Sequence, residues 1–144
     1  MRVDIEEAKD IKEIYIVIYC NEVTDEIYAL SNELQKRTTN MLVEDYGKTV
    51  ILKLKDIYLI RVENTETIVY GKEKHYQINK RLYEMEEILD KEFVRISKSS
   101  VINLKQIDYL EPALGGLAKV ILLNGMVEFI SRKYYREFKK SMER

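Results

Sequence analysis

Short runs with apolar residues at alternate positions fill the chain from residue 49 to residue 130, and turn-forming residues separate them. A two-residue period is typical of β-strands with one buried face. The runs predict strands over 49–54, 57–62, 67–70, 75–78, 93–97, 107–111, 119–123 and 126–130. Asn124-Gly125, between the last two, is the strongest short signal for a β-hairpin. The sequence therefore predicts a mainly β fold of small antiparallel sheets, α+β overall.

Three segments show the helical period instead. The first follows Thr24, a good N-cap, with acids in its first turn and Lys36-Arg37 in its last, which matches the helix dipole. A second covers about residues 80–89. The third begins at Ser131, another good N-cap residue, and we expect it to pack one face on a sheet and to show a cationic face outward.

The N-terminal region differs from the rest of the chain. Residues 12–20 (KEIYIVIYC) predict a strand that is apolar on both faces, so it would be buried on both sides or pair with another subunit. Cys20 in this strand is expected to be a core thiol. Residues 38–45 are predicted to be a linker. We therefore divide the chain into a strand-helix extension, 1–44, for dimerisation or docking to another protein, and a domain, 45–144.

Charge is distributed unevenly along the chain. The net charge is −1, but residues 1–44 hold 5 basic and 10 acidic side chains, whereas residues 130–144 hold 6 basic and 2 acidic. A local positive patch can bind phosphates on a nearly neutral protein. The longest apolar run is too short to span a membrane, the acidic N-terminus is no signal peptide, and a single cysteine excludes an internal disulfide framework. These features predict a cytoplasmic protein without membrane insertion.

Two polar constellations could contact nucleic acid. The first is a set of cations on the last helix that fall within about 120° of one another at 100° per residue. Its members are Arg132, Lys133, Arg136, Lys139 and Lys140. The second is the hydroxyl- and lysine-bearing loop 97–100, whose groups suit phosphates and base edges. The alternative for both is an ordinary solvated surface.

Catalytic and metal-binding patterns are absent from the sequence. There is no metal-ligand spacing, P-loop, GxGxxG or GxSxG, and His75 is the only histidine, with neither a cysteine nor a second histidine near it. A structural histidine is the better interpretation than a catalytic base. We therefore predict a protein that is not an enzyme and that needs no metal or cofactor.

The motifs of the last two-thirds of the chain resemble those of the LytTR DNA-binding domain. Residues 93–104 (FVRISKSSVINL) are similar to the family pattern F-x-R-x-H/S-K/R-S-x-x-V/I-N. Residues 56–60 (DIYLI) resemble its "DI-aromatic-aliphatic" strand. Leu123-Asn124-Gly125 and residues 131–134 (SRKY) resemble its "L-x-N-G … S-R-K/R-Y" ending. The similarity covers about residues 45–142.

The resemblance implies a bacterial transcription regulator that binds promoter repeats, commonly as a homodimer, with loops rather than a recognition helix in successive major grooves. Transferred by position, Lys98 would contact a base or a neighbouring phosphate, and Lys133 a base in the next groove. The remaining DNA-binding candidates are Ser99, Tyr134 and Arg136 for phosphates, Arg132 beside them, and the hairpin near Asn64 to Thr67 for a third base contact.

The chain departs from the family pattern at that hairpin. It carries Glu63 and Glu66 and no His, Lys or Arg, and Arg61 stands where the family has Glu. These acids favour an alternative function, a protein-interaction module with the same fold that does not bind DNA. Residues 1–44 are too short for a receiver fold, so we expect no control by aspartyl phosphorylation within this chain.

Overall fold

A computed structural model describes residues 1–12, 15–35 and 40–143. The helices are α1 Asp25–Gln35, α2 Leu82–Ile88 and α3 Arg132–Met142. The strands are β1 Asn40–Asp45, β2 Lys48–Lys53, β3 Leu59–Glu63, β4 Glu66–Tyr70, β5 His75–Ile78, β6 Phe93–Ser97, β7 Ser100–Asn103, β8 Ile107–Pro112, β9 Ala118–Leu122 and β10 Val127–Ile130. The predicted mainly β fold of antiparallel sheets is confirmed.

The strands form two antiparallel sheets. One has seven strands in the order β2-β1-β5-β4-β3-β7-β6, and the other has three in the order β10-β9-β8. Tight turns set the register of the hairpins. Asn64 and Thr65 both have positive φ, the conformation of the two-residue turn that matches strand twist in the β3–β4 hairpin. In the predicted β9–β10 hairpin, Gly125 has a φ of 88° and Asn124 Oδ1 accepts from the Met126 N–H at 3.1 Å.

Apolar residues cover both faces of the seven-stranded sheet. Successive strand residues point to opposite faces, so Ile60 lies in one core and its neighbour Leu59 in the other. The first core contains Val43, Leu52 and the α2 residues Leu82 and Met85. The second core lies between the two sheets. Its buried members are Tyr58, Leu59, Ile96, Ile102, Val120, Leu122, Ile130 and Phe138.

Helix α3 closes the second core and is fixed at its start. Phe138 is buried among the strands of both sheets with 1% of its surface exposed. The Ser131 N–H, at the N-cap, donates to the Ile96 carbonyl of β6 at 2.9 Å. The position of Ser131 before the helix is as predicted, although its hydroxyl makes no capping hydrogen bond. The first turn of α3 is thereby held against β6.

Asn103 fixes the backbone where β7 ends. Its side chain is buried; Nδ2 donates to the Ile57 carbonyl at 2.8 Å, and Oδ1 accepts from the Lys105 N–H at 3.1 Å. We expect Asn103→Ala to lower the free energy of unfolding by about 1–3 kcal/mol, because two backbone groups lose their partner. Urea denaturation would measure the change, with the exposed Asn21→Ala as the control. Equal stability of both variants would contradict this role.

The N-terminal region differs from its prediction. Residues 15–20 form no strand, and Tyr15, Ile16, Val17 and Tyr19 are more than half exposed. An isolated strand is unstable without neighbours, and no described segment pairs with this one. The prediction that Cys20 is a core thiol is also wrong, because Cys20 is exposed.

Two strands were not predicted. Residues 40–45, taken as part of a linker, form β1, and β7 has four buried residues in a row and hence no alternation. The first helix follows Thr24 as predicted, and the Ile27 N–H lies 3.4 Å from Thr24 Oγ1. Residues 13, 14, 36–39 and 144 lie outside the described residues, and the Lys36-Arg37 helix end with them. The division of the chain at residue 44 stays a prediction.

Candidate nucleic-acid interface

Two hairpin turns lie side by side at one end of the seven-stranded sheet. Strand β3 pairs with β7, so that Arg61 is opposite Ser100. The Val62 N–H donates to the Ser99 carbonyl at 2.9 Å. The β3–β4 turn at 64–65 therefore lies next to the β6–β7 turn at 98–99. Two of the three predicted contact regions are neighbours through sheet pairing alone.

The first turn of α3 adjoins the same end of the sheet. Tyr134 is half-buried between two cations: Arg95 Cζ lies 5.8 Å and Lys133 Nζ 5.5 Å from the centre of its ring. Both distances are within the range of cation–π attraction. Tyr134 thus connects the β6–β7 hairpin to the start of α3, and it brings Lys133 to the side of the 98–99 turn.

Arg95 holds this arrangement together. Its Nε donates to the Ser97 carbonyl at 2.7 Å, and Nη2 donates to the Lys98 carbonyl. Its Nη1 bonds Glu86 of α2 at 2.7 Å. The rigid fork of a guanidinium suits such simultaneous contacts. The turn that carries Lys98 is therefore held by Arg95, a residue for which the sequence analysis predicted no role beyond its place in the F-x-R pattern.

Most of the predicted DNA-binding side chains are exposed on this surface. Lys98, Ser99, Lys133 and Arg136 are exposed, and within residues 1–12, 15–35 and 40–143 the cations among them make no ion pair with an acid. Arg132 is also exposed, but its guanidinium donates to the Gly115 carbonyl. We call the turns 64–65 and 98–99 together with residues 132–136 the loop surface.

The third predicted region is only partly available. Asn64 is exposed in its turn. Thr67 is 6% exposed and donates its hydroxyl to the Lys80 carbonyl at 2.6 Å. Its side chain is thus committed within the fold, which argues against the predicted contact at Thr67. Thr67 lies on the same face of β4 as Val69, and Val69 belongs to the first core.

The acids of the 63–66 hairpin are engaged in internal bonds. Glu63 accepts from Arg61 and, at 2.7 Å, from the Tyr70 hydroxyl; Arg61 also bonds Glu128 of β10. Hydrogen bonds from Tyr70 and then from Arg61 hold the pKa of Glu63 below its usual value. Burial opposes the charge of Arg61, but the bonds to Glu128 and Glu63 raise its pKa. Arg61 and Glu63, two residues at which the chain departs from the family pattern, therefore form an ion pair with each other. The charge of the Glu63 carboxylate is neutralised by this pair.

Other kinds of site find little support. No group of three or more metal-ligating side chains occurs among the described residues. The helices in the described ranges are too short or too polar to cross a membrane. His75 is exposed beside Tyr70, with 5.8 Å between ring centres. The loop surface is the only one on which the predicted site residues converge, within the part of the chain that the structure describes.

The fold defines a mainly β domain built of two antiparallel sheets. The model of the LytTr DNA-binding domain matches residues 47–143, and the chain belongs to this family. A solved LytTr DNA-binding domain from Bacillus cereus shares the fold, with a TM-score of 0.70 and 19% identity over 73% of this chain and 97% of that one.

Curated relatives extend the similarity beyond the domain. Proteins of Staphylococcus aureus strains NCTC 8325 and COL, each described as an uncharacterized HTH-type transcriptional regulator, are 28% identical over 134 residues, 90% of this chain and of each relative. In the described residues of this chain strands separate all three helices, so they contain no helix-turn-helix pair.

Proposed function

We propose that this protein is a transcription regulator of the bacterial cytoplasm that binds double-stranded promoter DNA through the loop surface. Lys98 and Lys133 enter successive major grooves, and Ser99, Tyr134 and Arg136 hold phosphates. Arg132 lies beside them, and Asn64 supplies a contact from the neighbouring turn. The observation that carries the proposal is the Arg95–Tyr134–Lys133 stack, which joins two lysine-bearing elements into one surface.

Electrostatics support this assignment. Lys98, Lys133 and Arg136 are exposed and have no acidic partner in the described ranges. A phosphate can therefore bind them without first breaking an ion pair. Phosphate neutralisation by lysine and arginine supplies much of the affinity of DNA-binding proteins. Among the described residues, the acid bonded near the 98–99 turn is Glu86, which pairs with Arg95. The net charge of −1 is therefore compatible with a local DNA-binding surface.

Lys133→Ala should weaken binding to a repeat-containing promoter and reduce the slope of log affinity against log salt by about one ion, because one phosphate-region cation is lost. Fluorescence anisotropy over a salt series measures both. Lys74→Ala is the matched control, since Lys74 is exposed in the turn before β5, at the opposite end of the sheet. If the two variants keep the same slope and affinity as the parent, Lys133 does not contact DNA.

We further propose that the protein acts as a homodimer on repeat sites, with residues 1–44 serving dimerisation or docking to a regulatory protein. The exposed apolar side chains of residues 15–20 support this, because such a surface marks an interaction site. Size-exclusion chromatography with light scattering tests it. A monomer at every concentration would contradict the dimer.

The second candidate is a protein-interaction module without DNA affinity. Glu66 favours it, since this acid lies in a hairpin at the loop surface and its partner, Gln77 at 3.1 Å, leaves its charge uncompensated. A gel-shift assay with genomic fragments separates the two functions. A DNA-binding regulator shifts specific fragments at moderate salt, whereas an interaction module shifts none.

A further inference from the structure

We infer that residues 15–20 of one chain add as an extra strand to the free edge of β2 in a second copy, and that the exchange is reciprocal. The inference deepens the proposed homodimer and rests on it. Its starting point is a pair of unpartnered features in one chain. Strand β2 ends the seven-stranded sheet with no described strand on its outer side, and residues 15–20 make no backbone hydrogen bond among the described residues.

The edge of β2 offers an apolar side chain on each of its faces. On one face, Leu52 is buried in the first core and Val50 packs against it. On the other face, Leu42 and Ile51 lie opposite each other and are 62% and 68% exposed. A strand added here would have one row of side chains beside each pair. An amphipathic strand has apolar side chains on one face only, so it would cover one of these two apolar positions and leave the other exposed.

Residues 15–20 have this two-sided character. Tyr15, Val17 and Tyr19 alternate with Ile16 and Ile18, so both faces of an extended segment are apolar. Four of these side chains are exposed by more than half in the single chain, Tyr19 by 93%. β-Branched and aromatic residues favour a sheet over a solvated loop. The six residues also match the six of β2 in length.

The charges at the ends of the two segments are complementary. The sequence places Glu13 before the segment and Glu22 after it, while Lys48 and Lys53 are the terminal residues of β2. With the six residues aligned on the six of β2, the sequence has an acid two positions beyond each end of the segment and a lysine at each end of β2, whether the added strand is parallel or antiparallel. Opposite charges across neighbouring strands stabilise the pairing, and like charges oppose it. An edge that is free in one copy is a ready template for such an addition.

The occupant is the second copy rather than the same chain. Although the edge of β2 is free within the same chain, residues 15–20 pair with no described segment of that chain and stay exposed. A second copy offers both features at once. Exchange of identical elements also gives both subunits the same environment, as a closed two-fold dimer requires.

Disulfide trapping tests the exchange directly, because Cys20 is exposed and is the only cysteine of the chain. A disulfide needs the two Cα atoms within about 4.4–6.8 Å. Lys48→Cys places a thiol opposite Cys20 in an antiparallel alignment, and Lys53→Cys does so in a parallel one. We expect one of the two full-length variants to give a covalent dimer on mild oxidation, with the linked peptides identified by mass spectrometry. The parent and Lys139→Cys, on α3, are the controls.

Dissociation measurements separate this inference from the proposed dimer. We expect Val17→Pro and Ile51→Lys each to raise the dimer dissociation constant at least tenfold, because a proline removes an N–H and a charge disrupts the apolar row. Ile5→Pro, the same change outside the segment, should leave it unchanged. If neither Val17→Pro nor Ile51→Lys changes the dissociation constant, the strand exchange is wrong but the proposed dimer stands. A disulfide within one chain overturns the second copy as the occupant, and a parent protein that is always monomeric overturns both.

Discussion

Phe138→Ala should lower the free energy of unfolding by about 3–5 kcal/mol, the range for deleting a buried phenylalanine side chain. Phe138 is 1% exposed and lies between the two sheets, in the same core as side chains of β6, β7, β9 and β10. The only apolar α3 side chain that the structure buries is therefore the one that joins the helix to both sheets. Urea denaturation followed by circular dichroism measures the loss.

Tyr135→Ala is the matched control for this substitution. Tyr135 is the neighbouring aromatic position on α3 and is 42% exposed, so its removal should cost less than about 1 kcal/mol. A loss below 1 kcal/mol for Phe138→Ala would show that α3 does not close the second core. In that case the position of Lys133 on the loop surface would also lose its support.

Hairpins could be predicted from the sequence because their signals are local. Asn124-Gly125 supplies the positive φ that a tight turn needs, and the apolar residues on either side alternate. The turn at 64–65 and the capped start of α1 at Thr24 are local in the same sense. In each case the residues that set the geometry lie within a few positions of one another.

Segments whose structure depends on distant partners were predicted less well. β7 is buried on both faces because Val101 faces the first core and Ile102 the second, and only the tertiary packing shows this. Residues 15–20 have the composition of a strand, but composition supplies no partner, and the single chain leaves them exposed. Strand propensity describes how well a segment fits an existing sheet, and not whether a sheet is there.

The exposed residues of the loop surface could be named from the sequence, but the side chains that support them could not. Lys98, Ser99 and Lys133 belong to a recognisable family pattern, and the structure brings them to one surface. Thr67 is buried because its face of β4 lies on the first core, and the bonds of Arg61 and Glu63 are complete only when Tyr70 and Glu128 come together. Side chains that hold a site depend on tertiary contacts, which the local pattern does not contain.

Arg95→Ala should lower the affinity for promoter DNA about ten- to hundredfold, because one side chain positions both Lys98 and Tyr134, and a misplaced contact costs about 1–3 kcal/mol. The same change should lower the free energy of unfolding by about 1–3 kcal/mol through the lost bonds to Ser97 and Glu86. Affinity is therefore measured by anisotropy at a temperature at which the variant is fully folded, as circular dichroism can verify.

Arg95→Lys separates positioning from charge. A lysine keeps the positive charge but cannot make the forked contacts to Glu86, the Ser97 carbonyl and the Lys98 carbonyl. If Arg95 positions the turn, Arg95→Lys loses affinity nearly as Arg95→Ala does. In a double-mutant cycle with Lys98→Ala, the losses of binding free energy should also be non-additive. Once the Lys98 side chain is removed, Arg95 no longer has that DNA contact to position. Full affinity in Arg95→Lys, or strict additivity with Lys98→Ala, would mean that Arg95 acts on DNA by its charge alone.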